Sequence, residues 1–359
     1  MKGIQNKKKV DYSGQTLYVG LDDHLKSLKV AIYNDELFLK TFSQEKDAAV
    51  LIRHLLSHYP GANLKSVYEV GFSGFSLHRA LVSAGIDNMV VSPGDVPSSD
   101  KQRRRKSDAV DCHKLSQQLR SGQLDEVYVP SVEAVYDRQL VRLRSRVLNK
   151  EHSRAVTRLK MFVYFTDSRI PWTELQGRLS QQKLRALTGL DLGSKAGNTL
   201  LAAYVSYLEQ FRQWRRQIDR QIVQLAQSQK YWPLVVLLRT VPGFGLLCSM
   251  IFLTEIIDMR RFETLDHLVG YVGLVPDTDS SAEREVCKGL TRRCNANLRW
   301  ALGQAAWIAI RKDPALTQAY SRYCQRMPNN QAIIRIQKKL LSRVRRVWLH
   351  QEPYQLGLA

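Results

Sequence analysis

Four carboxylates in the first third of the chain have the type and placement for metal-assisted chemistry at a phosphate. Asp22 closes the short apolar run 17–22, and Glu69 closes a second such run, 64–69. Asp108 and Asp111 stand three apart at the start of a predicted helix, a spacing that turns both to one side. Strand ends and a helix start can converge at one edge of an α/β sheet. Hard divalent cations take oxygen ligands, and Mg²⁺ takes a few carboxylates with water and phosphate. Two such ions activate the attacking oxygen and stabilise the leaving oxygen at a phosphodiester. The plain reading of the same acids stays open. Asp108 and Asp111 also complement a helix dipole, and Asp22 with Asp23 beside it also suits a turn.

Other segments could meet phosphate. Ser281 ends the stretch Gly273-Leu-Val-Pro-Asp-Thr-Asp-Ser-Ser281, read as a loop ahead of the basic run 288–293. A serine beside arginines can attack phosphorus while the guanidiniums stabilise the added negative charge, although serines are also ordinary loop residues. Pro242-Gly-Phe-Gly245 precedes an apolar helix over 246–257. It resembles the turn of a helix-hairpin-helix element, in which glycines let backbone N–H groups approach a phosphate. A tight helix–helix turn is the other reading. Arg335, Lys338, Lys339, Arg343, Arg345 and Arg346 form a basic helical stretch, either a nucleic-acid face or a solvated one.

The elements that must position these residues fall into three regions. Residues 15–130 alternate strands and helices. The runs 29–33 and 36–40 flank the turn signal Asn34-Asp35 and predict a hairpin. Residues 47–58 and 76–84 predict helices, and 64–69 and 89–92 strands, an α/β layout with a mixed sheet. Ser107 reads as the N-cap of a helix running to about Ser121, after the basic run 101–106. Over 131–235 strand signals vanish. Tyr204, Phe211, Ile218 and Leu225 recur every seven residues, with Leu208, Trp214 and Ile222 between them, which predicts an amphipathic helix with a coiled-coil tendency. Leu140, Leu143 and Val147 form a weaker stripe in an arginine-rich helix, and Pro171 and the stretch 189–197 interrupt the region. Residues 236–350 read as helical to about His350.

The charge selects the partner. With 54 Lys and Arg against 33 Asp and Glu, the chain carries +21. That balance marks a polyanion partner, because each phosphate neutralised releases condensed counterions. No run of about 18 apolar residues spans a membrane and no signal peptide opens the chain, so the expected compartment is a bacterial cytoplasm, in association with the nucleoid. Met1 to Lys9 read as a polar, basic tail. The five cysteines are scattered without a CxxC pair, which supports neither a disulfide framework nor a zinc ribbon.

Together these segments resemble the DEDD-type insertion-sequence transposases, the family numbered one-ten with its eleven-eleven subgroup, known as bridge-RNA or seeker-RNA guided recombinases. The resemblance rests on Val19-Gly-Leu-Asp22, Tyr68-Glu-Val-Gly71, Lys106-Ser-Asp-Ala-Val-Asp111, Val241-Pro-Gly-Phe-Gly245, Gly270-Tyr-Val-Gly-Leu-Val-Pro276 and the segment 295–299. It runs from about residue 17 to 350. It implies an α/β RNase H-like (RuvC-like) N-terminal domain whose acids are Asp22, Glu69, Asp108 and Asp111, holding Mg²⁺ or Mn²⁺. It implies a helical coiled-coil middle used for assembly, and a mainly α C-terminal transposase domain whose serine becomes covalently linked to DNA. Ser281 falls on that serine's position. Ala282 stands where the family has glycine, and Ser280 is an adjacent competitor. The implied partners are donor and target DNA, a structured non-coding guide RNA, and further copies of the chain in a dimer or dimer of dimers, with carboxylates and serine meeting across protomers. Two alternatives share the residues: a RuvC-like junction nuclease using metal-activated water with no covalent step, and a non-enzymatic nucleic-acid scaffold in which the acids are caps.

Overall fold

The computed structural model describes residues 11–96, 108–166, 175–281 and 284–357, with the backbone alone for 108–110, 278–281 and 284–288. The basic run 101–106, Ser107, Pro171 and Ala282 lie outside the described residues. The chain divides into two compact units, Met1–Val129 and Pro130–Ala359.

In the first unit, β1 (Thr16–Asp23), β2 (Ser27–Tyr33) and β3 (Phe38–Glu45) form an antiparallel meander. Asn34 shapes the second turn by accepting the Glu36 and Leu37 N–H groups on its side chain. Helix α1 (Ala48–His58) starts where Asp47 accepts the Ala49 N–H at 2.7 Å, a cap that stabilises a helix by about 1 kcal/mol. It leads to β4 (Asn63–Glu69), then α2 (Ser76–Ser83) and β5 (Asp87–Val91). The sheet order is β3-β2-β1-β4-β5, with β4 parallel to both β1 and β5. Strand alternation sorts the side chains into two faces. Leu17, Val19, Leu21, Val30, Ile32 and Tyr68 pack under Leu51 and Leu55 of α1 and Leu77 and Leu81 of α2. Val67, Val91, Ala31 and Tyr33 face the other side, where α3 (Asp108–Arg120) lays Cys112 and Leu115.

One contact sets how closely α3 lies on the sheet. A Cβ on Gly20 would fall 2.0 Å from the Cys112 carbonyl oxygen and 2.7 Å from the Ser116 nitrogen. The helix backbone therefore rests directly on β1.

The second unit is mostly helical. Helix α4 (Val132–Arg142) passes through a π turn, Leu143–Leu148, into α5 (Asn149–Phe165). Such a turn carries an extra residue and rotates the face that follows. The buried residues are accordingly Val141, Ser145 and Leu148, while Val147 of the predicted stripe is 48% exposed. After α6 (Gln181–Thr188), α7 (Lys195–Ala226) runs antiparallel to α5, with Arg144 meeting Asp219 at one end and Phe162 meeting Tyr204 at the other. The buried residues of α7 are Leu201, Val205, Leu208, Ile222 and Ala226. The predicted seven-residue repeat falls on half-buried positions instead. The helix serves two cores in its own chain: Leu201, Val205 and Leu208 pack with α5 and α6, and Ile222 and Ala226 with the C-terminal helices.

That last core is built around α9 (Leu246–Ile256), reached through α8 (Trp232–Leu238) and buried throughout from Ser249 to Ile256. It is enclosed by α10 (Leu265–Val272), α11 (Ala296–Lys312), α12 (Pro314–Cys324) and α13 (Asn329–His350). One departure from the all-helical expectation stands among them. The segment read as a loop is a two-stranded antiparallel ribbon, β6 (Pro276–Ser281) and β7 (Arg284–Leu290).

Gly20→Ala should force α3 off the sheet and cost about 1–3 kcal/mol, the usual penalty for overpacking. Denaturant unfolding followed by circular dichroism measures the loss.

Candidate active site

Asp22 and Glu69 stand at one level, where β1 and β4 part. Their strands are parallel neighbours whose last registered pair is Leu21 with Tyr68, one residue before each acid. Alternation gives each acid its face. Asp22 follows Gly20 by two and Glu69 follows Val67 by two, so both share the face covered by α3. Asp111 lies in the first turn of that helix, next to Cys112. Burial pushes the Cys112 thiol pKa up, and the nearby Asp22 carboxylate adds to the shift. Three of the predicted acids therefore come from one face and one edge. The side chain of Asp108 lies outside the described residues.

Asp22 is 19% exposed, and its Oδ2 lies 2.9 Å from His24 Nε2. Asp23 is built for something else. Its side chain is 3% exposed, Lys46 Nζ lies 2.7 Å from Oδ1, and Ser73 Oγ donates to Oδ2. Lys46 in turn sits 4.1 Å over the Phe72 ring. Asp23 thus ties the end of β1 to the β3–α1 corner and to the turn before α2. Carboxylate oxygens are the donors Mg²⁺ takes, and Asp22, Glu69 and Asp111 fit such an ion by type and by face. Among the described residues, no three His, Cys, Asp or Glu side chains are arranged to hold a metal ion.

The second unit positions the predicted serine. Ser281 is the last residue of β6 and pairs with Arg284, and Ser280 pairs with Glu285. The serine stands at the tip of a ribbon, which corrects the loop reading; the side chains of both serines lie outside the described residues. At the base of the ribbon, Thr291 N–H donates to Val275 O at 3.0 Å, and Arg299 Nη1 donates to Gly273 O and Thr291 O at 3.2 and 2.9 Å. Gly273 has φ +81°, and a Cβ there would meet the Cys294 Cβ at 2.1 Å. Only glycine fits that corner.

Under this base lies a residue the sequence reading passed over. Glu255 is fully buried within the apolar helix α9. Arg142 grips it bidentately, Nε to Oε1 and Nη2 to Oε2, both at 2.6 Å. Asn295 Nδ2 donates to Oε2 at 2.9 Å and Asn297 Nδ2 to Oε1 at 3.1 Å. Ser145 Oγ holds Asn297 through its Oδ1 at 3.0 Å. Burial alone would push the Glu255 carboxyl up. The hydrogen bonds and charge of Arg142, with both asparagines, outweigh burial and hold it below the usual carboxylate range. The one signal in the sequence was a lone acid inside an otherwise apolar helix.

The two remaining phosphate candidates divide their residues between packing and solvent. In Pro242-Gly-Phe-Gly245, Gly243 has φ +89° and its Cβ would lie 2.3 Å from Ala305 O, so this glycine serves helix packing. Gly245 is open, at the N-cap of α9. The turn borders a cavity of about 560 Å³ that Arg239 and Lys312 also line. On α13, Arg343 donates to Asp313 at 2.8 Å, and Arg345 donates to the Phe262 and Glu263 carbonyls. Arg335, Lys339 and Arg346 are exposed.

Comparison with known proteins gives a likeness to transposases. Residues 235–321, which span α9, the ribbon and α11, match the family described as transposase IS116/IS110/IS902. Among individual relatives, the chain is 29% identical over 249 residues to the candidate transposase y4qE of Sinorhizobium fredii, covering 67% of this chain and 57% of that protein. It is 26% identical to the candidate transposase y4rJ of the same organism, covering 69% and 66%. With the transposase for insertion sequence element IS1533 of Leptospira borgpetersenii it shares 28% identity, covering 69% and 71%. The matched part is less than two thirds of the length of the two Sinorhizobium proteins. The likeness throughout is to transposases.

Glu255→Gln leaves the Arg142 guanidinium in a buried site without its counter-charge and should cost about 3–5 kcal/mol. Because the folded pKa of Glu255 is depressed, its stabilisation is present above the unfolded carboxyl value of about 4.3 and lost as pH falls through the folded value. Denaturant midpoints measured across the acid range should therefore show a pH-dependent component in the parent that E255Q lacks.

Proposed function

We propose that this chain is an insertion-sequence transposase that cuts and rejoins DNA strands. The observation that carries the reading is that Asp22 and Glu69 end parallel neighbouring strands on the face that the helix of Asp111 covers, in a chain whose residues 235–321 match a transposase family. Under this reading the first unit is an RNase H-like domain of the RuvC type. The chain then works in three parts: 15–130 carries the acids, 131–235 assembles copies of the chain, and 236–350 carries the serine.

Asp22, Glu69, Asp108 and Asp111 would hold Mg²⁺ or Mn²⁺. When bound, the ion supplies charge to the scissile phosphate and to the leaving oxygen. Ser281 Oγ attacks phosphorus, one strand oxygen leaves, and that oxygen takes up a proton as the serine loses its own. The resulting phosphoserine diester keeps the bond energy, so a free strand hydroxyl can later displace the serine without an external energy source. Arg284 pairs with Ser281 across the ribbon, and a guanidinium is the kind of group that offsets negative charge added at phosphorus. The net charge of +21 suits long polyanionic partners. The partners under this reading are donor and target DNA with a structured guide RNA, in an assembly of two or four copies. Among the described residues, no helix is long and apolar enough to cross a membrane.

Loss of a neighbour that merely orients a metal ligand costs about 10–100-fold, so Asp22→Ala and Asp108→Ala should each lower strand cleavage by more than that. Ser281→Ala should abolish the covalent protein–DNA adduct trapped on a nicked suicide substrate, while Ser280→Ala retains it. Cleavage by S281A at the parent rate without an adduct would assign the activity to a hydrolytic nuclease. A discrete RNA recovered with the purified protein is the expected sign of guidance, and its absence counts against it.

A further inference from the structure

Three guanidiniums act on the Glu255 site, and one of them has no hydrogen bond or ion pair among the described residues. Arg138 precedes Arg142 by four residues on α4, which sets both on one helix face. Arg261 lies 5.3 Å over the Tyr271 ring, and the Tyr271 hydroxyl donates to the Glu255 backbone carbonyl at 3.2 Å. Among the described residues, the carboxylate that Arg138 faces beyond its own helix is Glu255, and Arg142, Asn295 and Asn297 already occupy both its oxygens, two bonds to each. The acids on the helix of Arg138 itself are committed elsewhere. Asp137 accepts from Lys230 at 2.8 Å and from Tyr231 at 2.6 Å, and Glu133 lies 3.4 Å from the same lysine. Arg138 is half-buried, and its Nε is closed off from solvent with no hydrogen-bond partner among the described residues.

We propose that Arg138, backed by Arg142 and Arg261, is a receptor for one phosphate group of a nucleic-acid backbone. A part-buried cation without a partner is costly, and an incoming anion is the direct remedy. The guanidinium fork matches phosphate oxygens in geometry as well as charge. Burial lowers the Arg138 pKa from its ordinary value and Arg142 adds to this, with Arg261 acting the same way and Glu255 and Tyr271 opposing. The balance at Arg138 is thus short of negative charge. The site lies against the segment 295–297, at the root of the ribbon that carries Ser281, so a phosphate held there would fix the strand relative to that root. The nucleic-acid part of this assignment rests on the transposase reading; anion binding at Arg138 does not.

The test uses the full chain and its Arg138→Gln variant. Duplex binding is measured by fluorescence anisotropy across a salt series, inorganic phosphate binding by calorimetry, and folding stability in denaturant. R138Q should bind duplexes of any sequence about tenfold more weakly, with the salt slope reduced by about 0.9. It should lose the phosphate heat and should fold at least as stably as the parent. A merely structural arginine would instead destabilise the fold on removal, and that result overturns the proposal. So does an unchanged affinity and slope. Lost self-association with an unchanged slope also overturns it, by naming an acidic segment of a second copy as the occupant. If the parent binds no DNA but phosphate heat depends on Arg138, the transposase reading fails and the anion site stands. If the parent cuts DNA and R138Q is indistinguishable from it, the reading stands and this proposal fails.

Discussion

A single ionised carboxylate sits in α9, a helix buried throughout from Ser249 to Ile256. An isolated charge in such a place is prohibitive; a paired and fully hydrogen-bonded one is tolerable. Glu255 meets the second condition only if Arg142 arrives from α4 and Asn295 and Asn297 arrive from the start of α11. Each segment is therefore held by a debt the others discharge. Removing any one partner leaves the rest in a worse state than if the network had never formed. That coupling defines the base from which the ribbon bearing Ser281 projects.

The first unit solves its positioning problem with sterics instead of charge. The bare Gly20 lets α3 rest on β1, and this contact lies two residues before Asp22 and at the residue after Asp111. The same close approach decides both where the helix lies and where its first turn delivers its acids. The two units thus use opposite means, a fully satisfied ion in one and a missing side chain in the other, to hold candidate chemical groups on rigid elements.

What could be read from the sequence follows from the range of the interactions involved. Strands β1, β2 and β4 are legible because period-two alternation and a local Asn34 turn announce them, and α1 because Asp47 caps it two residues away. Helix α7 is legible as a helix, but its buried seam is not, because it packs against two cores whose members lie far away in the chain. The π turn at Leu143–Leu148 likewise shifts the predicted stripe by a residue with no local mark. The ribbon β6–β7 was hidden for another reason. Pro276-Asp-Thr-Asp-Ser-Ser281 is polar on both faces, so no alternation distinguishes it from a loop. The part Glu255 plays could not be read from that lone acid because its partners lie 113 residues before it and 40 and 42 after it. Of the candidate site, the placement of Asp22 and Glu69 at strand ends and of Asp111 in the first turn of a helix was legible. The separation of Asp22 from Asp23 was not, since both look alike until a sheet gives them opposite faces.

That separation has an evolutionary consequence. Asp22 and Asp23 are chemically identical and adjacent, yet the thickness of a sheet divides the one beside α3 from the one that braces Lys46 and Ser73. A one-residue slip of β1 would exchange them while also turning Leu17, Val19 and Leu21 out of their core. Which aspartate faces α3 is therefore stored in the phase of the strand. A deletion or insertion anywhere in β1 would be read as a double lesion, whereas point changes at either aspartate can be told apart.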